Sequence, residues 1–382
     1  MRAMPCWSPF SSAVKTGCCR RGNMTIPRTM LAIVKPQPSP GLELREVPVP
    51  DIGPTDVLVK TRACSICGTD LHIDRWDGAT NSRVHPPQVI GHEACGYVVA
   101  VGSRVAHIKE GDYVSPDSHL PDWSCPVCRQ GLPHLCANLK ILGVDRPGVY
   151  AEYFAVPESD LWLNDPTLDP AAASIQDPMG NAVYATLVEP VSGRTVLIFG
   201  DGPIGLGAVA VARAAGAAAI VHVGLSPYLL AISKQLGATV TLDASQPGLD
   251  VVAETSKILA GGADVVLEMS GSPLAIHQGL QALRPGGRFC AFGLPTHEVP
   301  IDFTSDLIFK GARIIGITGR LLWDTWYQMA GLIRSGNLDF RPIVTHRLPF
   351  ADWRLGFDLL EAEERHAAKV VLFLDPNDAG LA

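Results

Sequence analysis

The chain has 382 residues, of which 47% are hydrophobic and 18% are charged, and its formal net charge is −7. This length suggests two or three domains, and the composition is that of a folded globular protein rather than a disordered one. The negative charge without a basic stripe argues against a nucleic-acid partner, and no uncharged apolar run reaches the roughly 18–20 residues of a membrane span.

Residues 1–29 differ from the rest because they carry Arg and Lys, several serines and no acidic residue. This composition is compatible with a mitochondrial transit peptide or with an upstream start codon, the true start then being Met24 or Met30. Ten cysteines are too sparse for a disulfide scaffold, which indicates a reducing compartment and a cytoplasmic location unless the transit peptide is real. We leave out of the active-site argument the cysteines of this segment, Cys6, Cys18 and Cys19.

Short strands and turns fill the region from Leu42 to Val114. Residues alternate over Val57–Thr61 before a Cys-containing turn, and the β-rich run Tyr97–Val101 ends at Gly102. This pattern predicts a compact, mostly β domain.

The pattern changes near residue 178. The apolar run Thr195–Phe199 predicts a buried strand, and a small-residue helix follows a Gly-rich turn and ends near Ala215. Alternating strands and helices predict an α/β fold with a doubly wound parallel sheet. The further predicted strands are Ala219–Val223, Ala263–Glu268, Gly287–Gly293, Arg313–Ile317 and Lys369–Leu374, and the further helices are Tyr228–Leu236, Thr325–Ser335 and Ala351–Ala362.

A G-x-G-x-x-G fingerprint stands between the strand and the helix of this unit. Gly200 allows the tight turn, Gly202 lets the backbone approach a pyrophosphate, and Gly205 lets helix and strand pack closely. Pro203 suits a first helical turn, and the helix N-terminus attracts the anion. The alternative is a Gly-rich turn that binds no nucleotide.

The acidic residue that usually holds the ribose 2′-hydroxyl is missing. Gly224 stands at its position, about 20 residues past the fingerprint, and no acidic residue occurs between Asp201 and Asp243. Loss of the carboxylate removes repulsion against a 2′-phosphate, but only Ser226 and Tyr228 follow as donors. The choice between NAD and NADP stays open.

Cys67 and His92 form one candidate metal site, because thiolate and imidazole are strong zinc ligands. Two or three protein ligands with an open position make a catalytic site, and Asp177 is a candidate further ligand. Taken singly, Cys67 would be a buried thiol, His92 a core histidine, and Asp177 a residue that shapes a turn before Pro178.

A second candidate metal site has the spacing Asp122-x2-Cys125-x2-Cys128-x7-Cys136. Three cysteines in one loop suggest a structural tetrahedral site, with Asp122 where a fourth cysteine would complete the set. The alternative is a lobe of free thiols without metal.

Together these residues carry a family resemblance. Within the stretch 91–105 the chain matches the pattern G-H-E-x2-G-x5-G-x2-V, and it resembles the zinc-dependent medium-chain alcohol dehydrogenases from about Met30 to Leu374. Within that family it is most similar to the L-threonine 3-dehydrogenase subfamily. The supporting stretches are Ile66–His72, Arg146–Gly148, Ala151–Tyr153, Asp177–Val183, Glu268–Gly271, Thr325–Tyr327 and Pro342–Arg347.

The resemblance implies a GroES-like, mostly β catalytic domain over residues 30–178 and 319–382. It implies a Rossmann dinucleotide-binding domain over residues 179–318. It further implies one catalytic zinc ion, a possible structural zinc ion, NAD or NADP, a small-molecule alcohol substrate, and a homotetramer or homodimer.

The resemblance also assigns roles to single residues. Cys67, His92 and Glu93 would bind the catalytic zinc, with Asp177 close enough to exchange onto it. Thr69 and His72 would relay the alcohol proton to solvent, and His119 would help to select the substrate. Arg320 would meet the cofactor, an intersubunit carboxylate or a surface ion pair. The residues that would contact the cofactor are Gly200, Gly202, Pro203, Ile204, Gly205, Gly224, Ser226, Gly293, Leu294, Ile317 and Thr318.

We therefore expect zinc-dependent oxidation of a secondary alcohol with hydride transfer to NAD(P), the best candidate substrate being L-threonine, which gives 2-amino-3-oxobutanoate. Asp122 and Gly224 depart from the family pattern and leave the second zinc and the cofactor choice open. The alternatives are a polyol, aminocyclitol or other vicinal-alcohol dehydrogenase, and a non-catalytic nucleotide-binding protein.

Overall fold

A computed structural model of the chain describes residues 26–77 and 82–380. The first strand begins at Thr29. The predictions for residues 1–25, including Met24, Cys6, Cys18 and Cys19, lie outside the described residues. Within the described ranges, no helix is both long and apolar enough to cross a membrane.

The described residues form eighteen strands and ten α-helices. The strands are β1 Thr29–Lys35, β2 Glu43–Pro48, β3 Asp56–Ser65, β4 Gln88–Val89, β5 Ala94–Val101, β6 Tyr113–Pro116, β7 His119–Leu120, β8 Lys140–Ile141, β9 Tyr153–Pro157, β10 Leu161–Leu163, β11 Thr195–Phe199, β12 Ala219–Gly224, β13 Val240–Asp243, β14 Ala263–Glu268, β15 Leu283–Ala291, β16 Arg313–Gly316, β17 Val344–Pro349 and β18 Lys369–Phe373. The helices are α1 Gly68–Arg75, α2 Pro126–Arg129, α3 Pro170–Ser174, α4 Gln176–Leu187, α5 Pro203–Ala214, α6 Pro227–Gln235, α7 Val251–Ile258, α8 Pro273–Ala282, α9 Asp324–Arg334 and α10 Trp353–Glu361.

The first part of the chain is mostly β, as predicted. Its largest sheet has the order β10-β6-β5-β3-β18-β17, and β9 also pairs with β3. The last strand of the chain, β18, runs antiparallel beside β3, with Val371 opposite Ser65. The last described strand therefore shares a sheet with β3 from the first quarter of the chain, and the Cys-containing turn after β3 lies next to β18.

The second part is a six-stranded, fully parallel sheet in the order β13-β12-β11-β14-β15-β16. This confirms the predicted α/β class. The central strand β11 is flanked by β12 and β14, so the strand order reverses there. In open sheets of this type, ligands bind beyond the carboxyl ends of the strands at such a switch point.

One buried apolar cluster runs through both parts. Val371 of β18, Met179 of α4 and Trp326 of α9 belong to it together with Val196 of β11. The helix α4 packs against both α5 and α9. Because this core is continuous, the residues at the start of α4 are held fixed between the two sheets.

The burial of Asp160 leads us to expect that the unfolding free energy falls as the pH rises. It is 1% exposed, its Oδ1 has no hydrogen-bond partner, and burial raises the pKa of its carboxyl from 3.8 to about 8. Because the folded pKa exceeds the unfolded one, the contribution of this group is favourable below about pH 4 and is lost as the pH rises to about 8. The loss is at most about 1.4 kcal/mol per pH unit.

We expect Asp160→Asn to flatten the fall in unfolding free energy between pH 5 and pH 8, as measured by urea denaturation. Asp165→Asn is the control, because local hydrogen bonds with Thr167 lower the pKa of that exposed-loop carboxyl and it does not titrate in this window. A parallel fall in wild type and Asp160→Asn would contradict the prediction.

Candidate active site

Cys67 lies in the short turn between β3 and α1. The strand ends at Ser65, and Cys67 has extended φ and ψ angles of −110° and 158° as the N-cap residue of α1. Its backbone N–H donates to Asp70 Oδ2 at 2.9 Å, which holds the first turn of the helix in place. The thiol is thus presented at the N-terminus of α1.

His92 and Glu93 meet Cys67 in space. One ligand atom from each of the three residues lies within 4.8 Å of the others, and His92 and Glu93 are buried. Burial opposes a charge on His92, but the nearby Asp70 and Cys67 outweigh it and raise the pKa of the imidazole to about 10. A thiolate, an imidazole and a carboxylate are a donor set that zinc accepts.

The orphaned polar atoms at this site support a metal. His92 Nδ1 and Asp70 Oδ1 are both buried without a hydrogen-bond partner, and they lie 3.7 Å apart. A metal-bound histidine typically gives its other ring N–H to a carboxylate. Asp70, which also accepts from Tyr150 Oη at 2.6 Å, is placed for that role and leaves His92 Nε2 for the metal.

Glu93 is balanced by a buried lysine. Lys369, the first residue of β18, is 2% exposed, and its Nζ lies 2.7 Å from Glu93 Oε1 and 3.0 Å from the carbonyl oxygen of Ile66. Ser65 Oγ donates to Glu93 Oε2. Burial opposes the lysine charge, but Glu93 outweighs it and raises the pKa of Lys369. Glu93 would therefore have to share its oxygens with Lys369 to bind a metal.

Asp177 lies in the first turn of α4, and its carboxylate is bound to a buried arginine. Arg320 Nη2 lies 2.7 Å from Asp177 Oδ1, and the backbone N–H of Ser118 donates to the same oxygen at 2.7 Å. Burial raises the pKa of Asp177 to about 6 despite the arginine. Among the described residues Asp177 does not join the group of Cys67, His92 and Glu93, so its exchange onto zinc stays a prediction.

Arg320 does not lie in a surface ion pair. It is 1% exposed, and its Nε donates to Asp117 Oδ2 at 2.8 Å. Gly180 makes room for it, because a Cβ at that position of α4 would lie 2.7 Å from Arg320 Cδ. Two carboxylates and one guanidinium thus form a closed, buried network beside the site.

His119 also belongs to this network. It stands in β7 with 13% of its side chain exposed, and its Nδ1 accepts from Arg320 Nη2 at 2.7 Å. Burial and the positive charge of Arg320 lower its pKa to about 3. The imidazole is neutral, and because Nδ1 accepts, the ring proton is on Nε2.

Thr69 and His72 both lie on α1. Thr69 Oγ1 is 3.9 Å from Cys67 Sγ, whereas His72 is exposed and its Nδ1 lies 2.5 Å from Asp77 Oδ1. No hydrogen bond joins Thr69 to His72 within the described part of the chain. A relay through both residues, one near the thiol and one in solvent, stays a prediction.

The second predicted group of metal ligands also converges. The ligand atoms of Asp122, Cys125, Cys128 and Cys136 lie within 4.8 Å of one another. Backbone N–H groups, first that of Cys128, lower the pKa of Cys125 to about 7. Asp122 Oδ2 accepts from Asn138 Nδ2, a residue that the spacing did not single out. The geometry fits a metal, and its occupancy stays a prediction.

The glycine turn after β11 has the expected geometry. Gly200 has a φ of +102°, and a Cβ on Gly205 would lie 1.7 Å from the carbonyl oxygen of Gly200, so only glycine fits there. Gly202 caps α5 with open space beside it, and Pro203 and Ile204 begin the helix. The sequence pattern did not single out His222, whose Nε2 donates a hydrogen bond to the carbonyl oxygen of Gly200 at 2.9 Å.

The residues predicted to contact the nicotinamide follow β15 and β16. A Cβ on Gly293 would lie 2.0 Å from the backbone nitrogen of Gly271, and the adjacent Leu294 is 89% exposed. Ile317 is buried and Thr318 is exposed. These residues share the carboxyl edge of the sheet with the glycine turn, and their contacts with the cofactor stay predictions.

Comparisons with known proteins agree with this geometry. Residues 53–165 match the family described as "Alcohol dehydrogenase GroES-like domain", and residues 203–335 match "Zinc-binding dehydrogenase". The L-threonine 3-dehydrogenase of Symbiobacterium thermophilum is 47% identical over 349 residues, which cover 91% of this chain and 98% of the relative.

Solved structures show the same architecture. A zinc-binding dehydrogenase of Sinorhizobium meliloti bound to NADP is 29% identical with a TM-score of 0.83, covering 90% of this chain and 99% of that one. The 2R,3R-butanediol dehydrogenase of Bacillus subtilis is 28% identical with a TM-score of 0.82, covering 91% and 100%.

We expect Cys67→Ser to remove one equivalent of zinc per chain, because the thiolate is the strongest donor of its group. Elemental analysis of protein purified without chelators measures this loss. Cys290→Ala, which changes a buried cysteine on β15 outside both groups, should keep the wild-type zinc content. Unchanged zinc in Cys67→Ser would contradict the assignment.

At the predicted metal site formed by Asp122 and the three cysteines, we expect Asp122→Ala to lose the metal. Asp122→Cys should keep it, since a thiolate then takes the ligand position of the carboxylate. The number of thiols that react with a chromogenic disulfide should rise in Asp122→Ala, as Cys125, Cys128 and Cys136 are released. Equal thiol reactivity in wild type, Asp122→Ala and Asp122→Cys would show a lobe without metal.

Proposed function

Because this chain belongs to the family of zinc-binding alcohol dehydrogenases with a GroES-like domain, we propose that it oxidises the secondary alcohol of L-threonine. The products are 2-amino-3-oxobutanoate, a reduced nicotinamide cofactor and one proton. The observation that carries the substrate is the 47% identity to an L-threonine 3-dehydrogenase over 91% of this chain. The convergence of Cys67, His92 and Glu93 supports the chemistry.

When bound, zinc supplies a Lewis acid that lowers the pKa of the alcohol, and the nicotinamide supplies the hydride acceptor. Cys67 and His92 would hold the metal, and Asp70 would orient the imidazole of His92. Glu93 would act as a third, shared ligand, because Lys369 holds its carboxylate next to the other two. Thr69 would accept the alcohol proton first, and His72, which is exposed, would pass it to solvent.

His119 suits the polar end of an amino-acid substrate. Arg320 fixes its neutral tautomer, so that Nε2 offers an N–H donor. A neutral donor can bind the carboxylate of the substrate without adding a charge beside the metal. This is consistent with its proposed role in substrate selection.

The second candidate is a vicinal-diol or polyol dehydrogenase. It is favoured by the likeness to the 2R,3R-butanediol dehydrogenase of Bacillus subtilis, at 28% identity and a TM-score of 0.82. The two candidates share the metal site and the dinucleotide site. They differ in whether the group beside the reacting carbon is an amine or a hydroxyl.

We also propose a homodimer or homotetramer in the cytoplasm. β16 is the edge strand of the described parallel sheet, and Ile314 on it, with the nearby Ile308 and Phe309, is exposed. An open strand edge with apolar neighbours favours pairing with a second copy. All cysteines in the described ranges are free thiols, which fits a reducing compartment.

Initial rates with L-threonine, measured by the absorbance of the reduced nicotinamide with NAD and with NADP, test the proposal. We expect L-threonine to be turned over in preference to butane-2,3-diol and the polyols. Cys67→Ser should lower the rate by at least about a hundredfold, because loss of a residue that only hydrogen-bonds to a metal ligand already lowers activity by about 10- to 100-fold. Cys290→Ala should keep the wild-type rate. Turnover of diols or polyols without turnover of L-threonine would replace the first candidate by the second.

A further inference from the structure

The end of β12 at Gly224, where the ribose of a bound dinucleotide is expected, is filled by the side chain of Asp201 from the glycine turn. We call this place the ribose corner. Gly224 ends β12 where a ribose-binding acid is usual, and a Cβ there would lie 2.7 Å from Asp201 Oδ2. Asp201 Oδ2 accepts from the backbone N–H groups of Leu225 and Ser226, each at 2.7 Å. Gly224 is therefore required by the side chain of Asp201.

Asp201 is buried and already hydrogen-bonded through both carboxylate oxygens. It is 2% exposed, and its second oxygen, Oδ1, accepts from Arg365 Nη1 at 2.8 Å. The other acceptors of the corner are also used. Ser226 Oγ accepts from the backbone N–H of Leu229 and donates to the carbonyl oxygen of Arg365, and the carbonyl oxygen of Gly224 accepts from Ala244. Each of these acceptors, all from buried residues that the structure describes, already has a hydrogen-bond partner.

A donor, by contrast, is available at this corner. Arg365 stands on the loop between α10 and β18, and 45% of its side chain is exposed. One nitrogen of its guanidinium, Nη1, donates to Asp201, whereas the whole group carries five N–H groups in a planar fork. The N-terminus of α6, capped by Ser226, adds its positive dipole end beside the same corner.

Two glutamates, Glu363 and Glu364, precede Arg365 on the same loop, and neither forms an ion pair with it among the described residues. The charge of Asp201 is spread over two backbone N–H groups and the guanidinium. Glu364 on the same loop is directed to His366, whose Nε2 lies 3.3 Å from Glu364 Oε2. The ring of His366 in turn lies 5.3 Å from that of Tyr228. Arg365 thus has no ion-pair partner other than Asp201 within the described ranges.

We propose that Arg365 selects the phosphorylated cofactor by donating to its 2′-phosphate, so that the enzyme prefers NADP to NAD. The proposal rests on the proposed function, since it requires a nicotinamide dinucleotide at the turn between β11 and α5. A corner whose acceptors are buried and already paired, and whose exposed group is a donor, favours a phosphate over a hydroxyl. The selecting cation comes from the C-terminal segment and not from the residues after β12.

Direct titration of the purified enzyme with NADPH and with NADH, followed by cofactor fluorescence without any alcohol, tests this inference. We expect NADPH to bind at least about tenfold more tightly than NADH, a difference of about 1.4 kcal/mol. In Arg365→Gln we expect the dissociation constant for NADPH to rise at least about tenfold, with NADH changed less than about twofold. Arg194→Gln is the matched control, because Arg194 is similarly exposed and faces a buried aspartate, Asp264, at the opposite edge of the sheet.

Asp201→Asn separates direct binding from positioning. If Arg365 acts on the phosphate, this variant keeps the preference for NADPH. If Arg365 only holds Asp201, the variant reproduces Arg365→Gln, and the inference is overturned. Tighter binding of NADH by the wild type, or equal weakening of both cofactors in Arg365→Gln, overturns it as well.

Failure of the substrate assignment gives a different result. Preferential NADPH binding without turnover of L-threonine removes the proposed substrate and leaves the role of Arg365 intact. Turnover of L-threonine with NAD alone supports the proposed substrate and overturns the role of Arg365.

Discussion

The buried ion pair between Glu93 and Lys369 is the constraint on which the site depends. Neither side chain reaches solvent, and a buried charge persists only when it is paired. Lys369 also donates to the carbonyl oxygen of Ile66, so the pair fixes β18 against the turn that carries Cys67. The positions of the thiol, the imidazole and the carboxylate therefore follow from the pairing of β18 with β3 as much as from the loops that carry them.

Arg320 imposes a second constraint from the other side of the site. It follows Ile317 and Thr318, near the proposed nicotinamide position, and its guanidinium reaches Asp117 and Asp177. The same group binds His119 and fixes its tautomer. One buried cation thus couples the edge of the parallel sheet to the substrate side of the mostly β part, through contacts that solvent does not screen.

Local spacing was sufficient to predict five of the six strands of the parallel sheet, the glycine turn and the loop with Asp122, Cys125, Cys128 and Cys136, because each depends on neighbours in the chain. The strand β13 was not predicted, and Glu93 was named as a ligand only through the family resemblance. The partners of these groups were not predictable in the same way. Lys369 and Asp70 are charged residues that sequence patterns assign to a surface, and only contacts with residues distant in the chain bury them. Arg320 was considered for a surface ion pair for the same reason. The alternative considered for Asp177, a turn before Pro178, does not occur, because Pro178 is tolerated in the first turn of α4.

The pairing of β3 with β18, strands that lie far apart in the chain, has a consequence during synthesis. β3, with Cys67 after it, and Glu93 leave the ribosome early, whereas Lys369 emerges some 276 residues after Glu93. Until then the carboxylate has no counter-charge and the edge of β3 lacks its neighbour. We therefore expect this half of the molecule to close late, when the final strand arrives.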